Sequence, residues 1–333
     1  MFRLALAFFA LACPSLAGAQ AWRHQPSGVS VAALPDGMRL GIETDGRRDG
    51  SDVIVQLGGS ESEVATLYVY RSAYPSAALW FERTRMAMRA NVGAPTAGVA
   101  PRSFTLGAAA APNGLREEID LPAGGRWRGT AVAIAQYGEW MVKVRITSAA
   151  DGAADLSGRM DDLIGVLRFP AAAPAAHPLT VPAACGDDNA MRGRARAPSG
   201  EDTMMAGIML TRSHAQARGR EGLVADPASW CRDSSGHPAE MISLYRRRDG
   251  RAWVALLGDS GLAAGAEAID DQAMSFVATP AATIFVQMFD SMPAPDPAIE
   301  AAIPFAVGRA QGTASVDAAT GSQVSVALPE PDA

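Results

Sequence analysis

The chain has 333 residues, of which 48% are hydrophobic and 19% charged, and a formal net charge of −6. That balance excludes a disordered chain and supplies enough apolar mass for one large domain or two ordinary ones. A mildly acidic chain without a basic tract is poorly suited to nucleic acid, so no nucleic-acid partner is expected.

Residues 1–19 read as a signal peptide. Arg3 is the single charge before Arg23, and Leu4 to Ala12 are apolar throughout. That run is far shorter than the roughly 20 residues a bilayer span needs, but it suits the apolar region of an export signal. Pro14 breaks it, and Ala17-Gly18-Ala19 fits the small-x-small cleavage pattern, which places the cut after Ala19. The alternative is a lipoprotein anchored at Cys13, where Leu11 stands one place late for the lipidation pattern. Either route predicts a periplasmic or secreted protein. No later stretch is apolar over a full span, so no transmembrane segment is expected in the mature chain.

Residues 20–170 read as an N-terminal α+β domain. Segments 37–44, 52–59 and 63–71 alternate apolar with polar or small residues, as half-buried strands do. A helix is expected from Pro75-Ser76 to about Val92, with Ser76 as N-cap and Leu79, Trp80, Thr84, Ala87 and Met88 on a mostly apolar face. Strands follow at 103–107, 115–121, 128–137 and 139–147, the last two joined by a tight hairpin at Gly138. In the final strand Trp140, Val142, Val144 and Ile146 share one face, and Met141, Lys143, Arg145 and Thr147 the other, which reads as one buried and one solvated face. Lys143 is the only lysine in the chain, which together with abundant Ala reads as genome base composition. Leu156, Met160, Leu163, Ile164 and Leu167 form the apolar stripe of a helix over 153–168. The order of elements resembles that of small α+β domains of the PsbP type. That likeness is architectural, and no residue role follows from it.

Residues 171–184 are rich in Pro and Ala and read as a linker between domains. Residues 185–329 read as a C-terminal, β-rich α+β domain, and 330–333 as an acidic tail. Strands are expected at 204–213, 239–248, 252–260, 274–280 and 282–290, with an edge strand at 322–329 and a short helix at 296–310 interrupted by Pro304. The fold class is therefore α+β, with mostly antiparallel sheets, packed helices and two domains. Cys185 and Cys231 remain after removal of Cys13, and in an exported chain they predict one disulfide.

Candidate chemistry is sparse. Leu257-Gly258-Asp259-Ser260-Gly261 carries the Gly-Asp-Ser-Gly run that surrounds the nucleophile of trypsin-like proteases, but Leu262 replaces the family's next glycine and no Ala-Ala-His-Cys segment precedes it. A strand ending in a polar turn accounts for the same residues. The loop from Cys231 to Glu240 holds Asp233, Ser235 and His237, the densest set of reactive types in the chain. It reads first as a disulfide-pinned turn and second as a hydrolytic site using Ser235 or Ser260 with His237. His24, His177, His214 and His237 show no metal spacing, and no cofactor motif appears, so neither metal nor cofactor is expected. Met191, Met204, Met205 and Met209 read as core packing. Arg246, Arg247 and Arg248 read as a solvated strand edge. The carboxylate pairs Asp161-Asp162 and Asp270-Asp271 show no partner across a cleft.

These observations favour a non-enzymatic binding or accessory module of the cell envelope, whose partner is an envelope protein or a small ligand. The alternative is a periplasmic serine hydrolase using Ser260 or Ser235 with His237. A third possibility is docking on an envelope complex through the Trp80 and Phe81 helix surface.

Overall fold

The structure is a computed structural model that describes residues 22–41, 43–45, 52–58, 61–92, 97–170, 178–186, 191–199, 201–202, 205–208, 210, 223–259, 261–280, 282–310, 314–317 and 324–326. It is a mixed fold, 20% helix and 40% strand, with antiparallel sheets. The expected signal peptide, the cleavage position after Ala19, Cys13, and the tail lie outside these residues.

The first half of the chain opens with β1 (Trp22–Arg23) and β2 (Ser30–Val31). A meander follows: β3 (Glu43–Asp45), β4 (Asp52–Gln56) and β5 (Glu63–Arg71). Helix α1 (Ala77–Val92) leads to β6 (Ala97–Phe104), β7 (Gly114–Asp120), β8 (Gly129–Tyr137) and β9 (Trp140–Ser148). Helix α2 (Ala153–Gly165) and β10 (Leu167–Arg168) close this half. The large strands form one seven-stranded sheet in the order β3-β4-β5-β9-β8-β7-β6, while β1, β2 and β10 form a small separate sheet.

The local sequence explains these elements. The Ser76 hydroxyl accepts a hydrogen bond from the Leu79 N–H at 3.4 Å, which caps α1 as expected. Helix α2 has no cap of its own, and Asp120 at the end of β7 accepts from the Ala153 N–H at 2.7 Å instead. The helix stops at Gly165 rather than running to Arg168, because Leu167 and Arg168 pair with Val31 and Ser30. Leu167 is buried in the same core as Leu156, Met160 and Leu163, so periodicity alone does not distinguish the two endings.

The second half is a nine-stranded antiparallel sheet. It runs β12 (Trp230–Asp233), β13 (Ile242–Arg247), β14 (Ala252–Leu257), β15 (Leu262–Ile269), β16 (Gln272–Ala278), β17 (Ala282–Phe289), β18 (Ala314–Asp317) and β19 (Val324–Val326), with β11 (Ala195–Arg196) beside β17. Helix α3 (Pro295–Ala306) packs on it and accommodates Pro304 in its last turn. The segment expected as a strand at 204–213 is helical over residues 205–208. Ala206 and Leu210, four apart, are buried against Phe276 and Phe285, so an apolar run has taken helical spacing. Strand β15 was not expected, since Ala and Gly are weak strand formers. Gly265 is required there, because a Cβ would lie 2.5 Å from the Phe276 ring on β16.

Besides the small cluster around Phe276 and Phe285, three cores stack in order. Helix α2 packs on one face of the first sheet. Helix α1 lies between the other face and the second sheet, in a core shared by Tyr70, Trp80, Ile134, Met141, Tyr245 and Val254. Helix α3 covers the far face of the second sheet. The face of β9 expected to be solvated is therefore buried at Met141 and Lys143 and half-buried at Arg145 and Thr147. Trp80 and Phe81 are 0% and 4% exposed, so the expected helix docking surface is closed. Leu179 and Val181, in the expected linker, also pack against the shared core.

Ion pairs clamp the helices to β7. Glu117 and Glu118 are adjacent and face opposite sides of the sheet. Glu117 accepts from Arg85 at 2.9 Å and Arg89 at 2.8 Å, both on α1. Glu118 accepts from Arg102 at 2.7 Å and 2.9 Å, and Arg116 beside it reaches Asp161 of α2.

Candidate functional site

Two places gather the residue types singled out above. The first is the Gly-Asp-Ser-Gly turn between β14 and β15. Asp259 accepts from Lys143 Nζ of β9 at 2.5 Å and from Thr84 Oγ1 of α1 at 2.8 Å. The Lys143 ammonium also lies 4.0 Å from the centre of the Tyr68 ring. Burial lowers the Lys143 pKa, and Asp259 opposes that shift. Gly261 has φ +80°, and a Cβ there would lie 2.7 Å from the Arg71 carbonyl oxygen. Its own carbonyl accepts from the Ala73 N–H at 2.9 Å. The turn thus works as a latch that ties β14 and β15 to β5, β9 and α1. Ser260 lies outside the described residues, as do His177, His214, Met204 and Met209.

The second place is a groove of about 780 Å³ at the β12 edge of the second sheet. Its walls come from Met86 on α1, residues 184–186, residues 232–235 with His237, and Ile242, Ser243 and Leu244 on β13. The edge is built by pairing. Arg232 N–H donates to the Ala183 carbonyl and Cys185 N–H to the Arg232 carbonyl, each at 2.8 Å, so a short parallel strand caps β12. The Cys185–Cys231 disulfide, as expected, pins the same two segments. Strand β12 ends at Asp233, opposite Leu244, so Ile242 and Ser243 of β13 have no β12 partner, and both line the groove.

The loop after β12 is held at several points. Ser234 N–H donates to Asp233 Oδ1 at 2.9 Å, and Gly236 N–H to Asp296 Oδ2 of α3 at 2.8 Å. Ser235 Oγ accepts from the His237 N–H at 3.3 Å and donates to the His237 carbonyl at 3.4 Å. Both bonds go to the backbone of His237 rather than to its ring. On the far side, Arg83 of α1 donates to the carbonyls of Ala239 and Glu240.

Charges around the groove are paired. Arg232 Nη1 donates to Glu82 of α1, and the Tyr245 hydroxyl donates to the same carboxylate at 2.7 Å. Burial, then the Glu82 charge, raises the Tyr245 phenol well above its usual pKa. Asp233 meets Arg246 at 3.1 Å. Arg246 is buried within β13, which has a partner on both sides, so it is not part of a solvated edge, whereas Arg247 is half-buried and Arg248 exposed. Two polar atoms stand apart from this pairing: Ser243 Oγ and His237 Nε2 are buried and have no hydrogen-bond partner. Ser243 itself is only 4% exposed.

The remaining candidates are spread through the fold. His24 is buried beside Trp22 and Trp140, with its ring nitrogen 2.7 Å from Ser27 Oγ. Met191 packs against the far core, whereas Met205 is 40% exposed. Asp270 and Asp271 sit at the β15–β16 turn. Among the described residues, no cluster of His, Cys, Asp and Glu could hold a metal ion, and no helix is long and apolar enough to cross a membrane. Sequence reasoning found Arg232 to His237 through the density of reactive types, but missed Ser243 and Met86, which reach the groove only through tertiary packing. No known protein family, no curated protein and no solved structure matches this chain.

Proposed function

We propose that the chain is an exported, non-enzymatic binding module of the cell envelope, and that the groove at the β12 edge is its ligand site. The observation that carries this reading is the pair of buried, unpartnered polar atoms, Ser243 Oγ and His237 Nε2, on side chains that line one concave space. A buried polar group without a partner is costly, and a ligand that hydrogen-bonds to it removes that cost. The volume falls within the range of small-molecule sites, roughly 300–1,000 Å³. Export is supported by the sequence of residues 1–19, which reads as a signal cleaved after Ala19 or lipidated at Cys13, and a Cys185–Cys231 disulfide is compatible with an oxidising compartment.

One observation favours the hydrolase alternative: Ser235 and His237 line the same groove. A nucleophile needs its base within about 3 Å of the hydroxyl, and the Ser235 hydroxyl instead bonds to backbone groups.

The test is the mass of the protein taken from its host's envelope fraction, recorded natively and then denatured. The binding reading expects extra mass in the native state that is lost on denaturation. A reproducible turnover against ester and amide substrates that Ser235→Ala abolishes would overturn it in favour of the hydrolase.

A further inference from the structure

We infer that the groove takes a singly charged carboxylate bearing an apolar substituent. This inference rests on the groove being a ligand site, and it specifies the chemistry.

A count of donors and acceptors comes first. Asp233 is the one carboxylate in the lining, and both of its oxygens are engaged, by Ser234 N–H and by Arg246. Glu82, behind Arg232, is engaged by Arg232 and Tyr245. Asp296 Oδ1 is unpartnered, but Asp296 holds the loop from behind and does not line the groove. The lining therefore offers no free carboxylate acceptor. Its donors are in surplus. Arg232 uses one guanidinium nitrogen on Glu82, and its side chain is 44% exposed. Its other nitrogens keep a fork that matches a carboxylate. The Ser243 hydroxyl donates freely, and His237 Nε2 donates in the tautomer that carries its proton there. A ligand that brings acceptor oxygens satisfies Arg232, Ser243 and His237 at once.

The charge count sets the valence. Arg232 is already partly neutralised by Glu82, and Asp233 lies beside it. One negative charge on the ligand meets the free side of the guanidinium. A second would find no further arginine or lysine in the lining, where Asp233 is already held by Arg246 and Glu82 by Arg232. This favours a monoanion over a phosphate monoester. Met86, Ala184, Ala239, Ile242 and Leu244 form the apolar part of the lining, beside Cys185, Gly186, Ser234 and Ser235. A space of about 780 Å³ holds far more than a bare carboxylate, so the remainder of the ligand lies against these side chains.

The experiment uses the full, disulfide-bonded chain and follows the backbone amide signals of Gly186, Ser234 and Gly236 by NMR. The probes are N-acetyl-leucine, N-acetyl-leucinamide and inorganic phosphate, followed by a fragment set of matched carboxylates and amides. The expected result is that N-acetyl-leucine and the carboxylate fragments move the groove signals, with the amides and phosphate at least about tenfold weaker. Arg232→Gln should weaken the carboxylates about tenfold or more, and Ser243→Ala a few-fold. Ser243→Ala leaves every ion pair in place, so it reports on the site even if Arg232→Gln unfolds. Equal binding of acid and amide, or of phosphate and acid, overturns the carboxylate assignment and leaves the groove as a ligand site. No shift at the groove from any fragment overturns both.

Discussion

The latch and the groove use similar residues in opposite ways. At the latch, Lys143, Asp259 and Thr84 come from three elements and bond to one another. At the groove, Arg232 and Asp233 are paired, but Ser243 Oγ and His237 Nε2 are left without partners. Lys143, Asp259 and Thr84 find their partners within the chain, whereas Ser243 and His237, which line a concave space, leave positions open. The Gly-Asp-Ser-Gly run is the more suggestive motif in the sequence, yet its Asp and second Gly serve packing between the two sheets. The unremarkable Ser243, inside a strand, is the better guide to function.

Substitutions can break or sharpen that contrast. The largest effect is expected from removing the disulfide with Cys185→Ala and Cys231→Ala. The bridge spans a sequence separation of 46, so its loss should cost about 4 kcal/mol in the chain-entropy model. Urea unfolding measures it, and the groove, whose rim includes Cys185, should lose ligand affinity more than the latch loses integrity.

Next is Asp259→Ala, which leaves the Lys143 ammonium, 3% exposed, without its carboxylate. The expected loss is about 2–3 kcal/mol, below that of a fully buried pair because Asp259 keeps contact with water. Lys143→Met should cost less, since the carboxylate left behind can be hydrated. If the two variants lose equal stability, the latch is not limited by the buried cation.

Smaller effects are expected from single hydroxyls. Thr84→Val removes one bond to Asp259 and Tyr245→Phe one bond to Glu82, each worth about 1 kcal/mol by thermal unfolding. The Tyr245 phenol also has a pH signature. Its folded pKa is raised above the unfolded value of about 10, so its contribution is intact below that pH and is lost as pH rises toward the folded value. Tyr245→Phe should therefore make alkaline unfolding shallower. The smallest effect has the opposite sign: Ser243→Ala should leave stability unchanged or raise it by about 0.5 kcal/mol, because it deletes an unsatisfied hydroxyl. A loss like that of Thr84→Val would mean that Ser243 has a structural partner and that the contrast with the latch fails.

What could be read from the sequence follows from how local each signal is. Helix α1 was legible because Ser76 caps it within one turn. The hairpin at Gly138 was legible because a turn residue sits between alternating strands. Strand β15 was not, because Gly265 is dictated by the neighbouring Phe276 and its alanines carry little strand preference of their own. The face of Met141, Lys143 and Arg145 was misread for a related reason: charge at alternate positions looks the same whether water or a distant Asp259 compensates it. The groove was legible only on its β12 side. Met86 lies far from Ser243 in sequence, and nothing local to either records that they share a wall.

That misread face has a consequence in time. The chain is made from its amino terminus, so α1 and β9 are finished long before β12 to β16, which cover them. Until then the surface awaiting its cover displays Glu82, Arg83, Thr84 and Lys143, side chains that water holds well. Set among the apolar side chains of the shared core, these groups keep part of that flank wettable, where a wholly greasy one would invite aggregation. When the later strands arrive, Arg232, the 239–240 carbonyls and Asp259 take over from water one contact at a time. The charge pattern that looks like an exterior is an exterior for as long as the chain is incomplete.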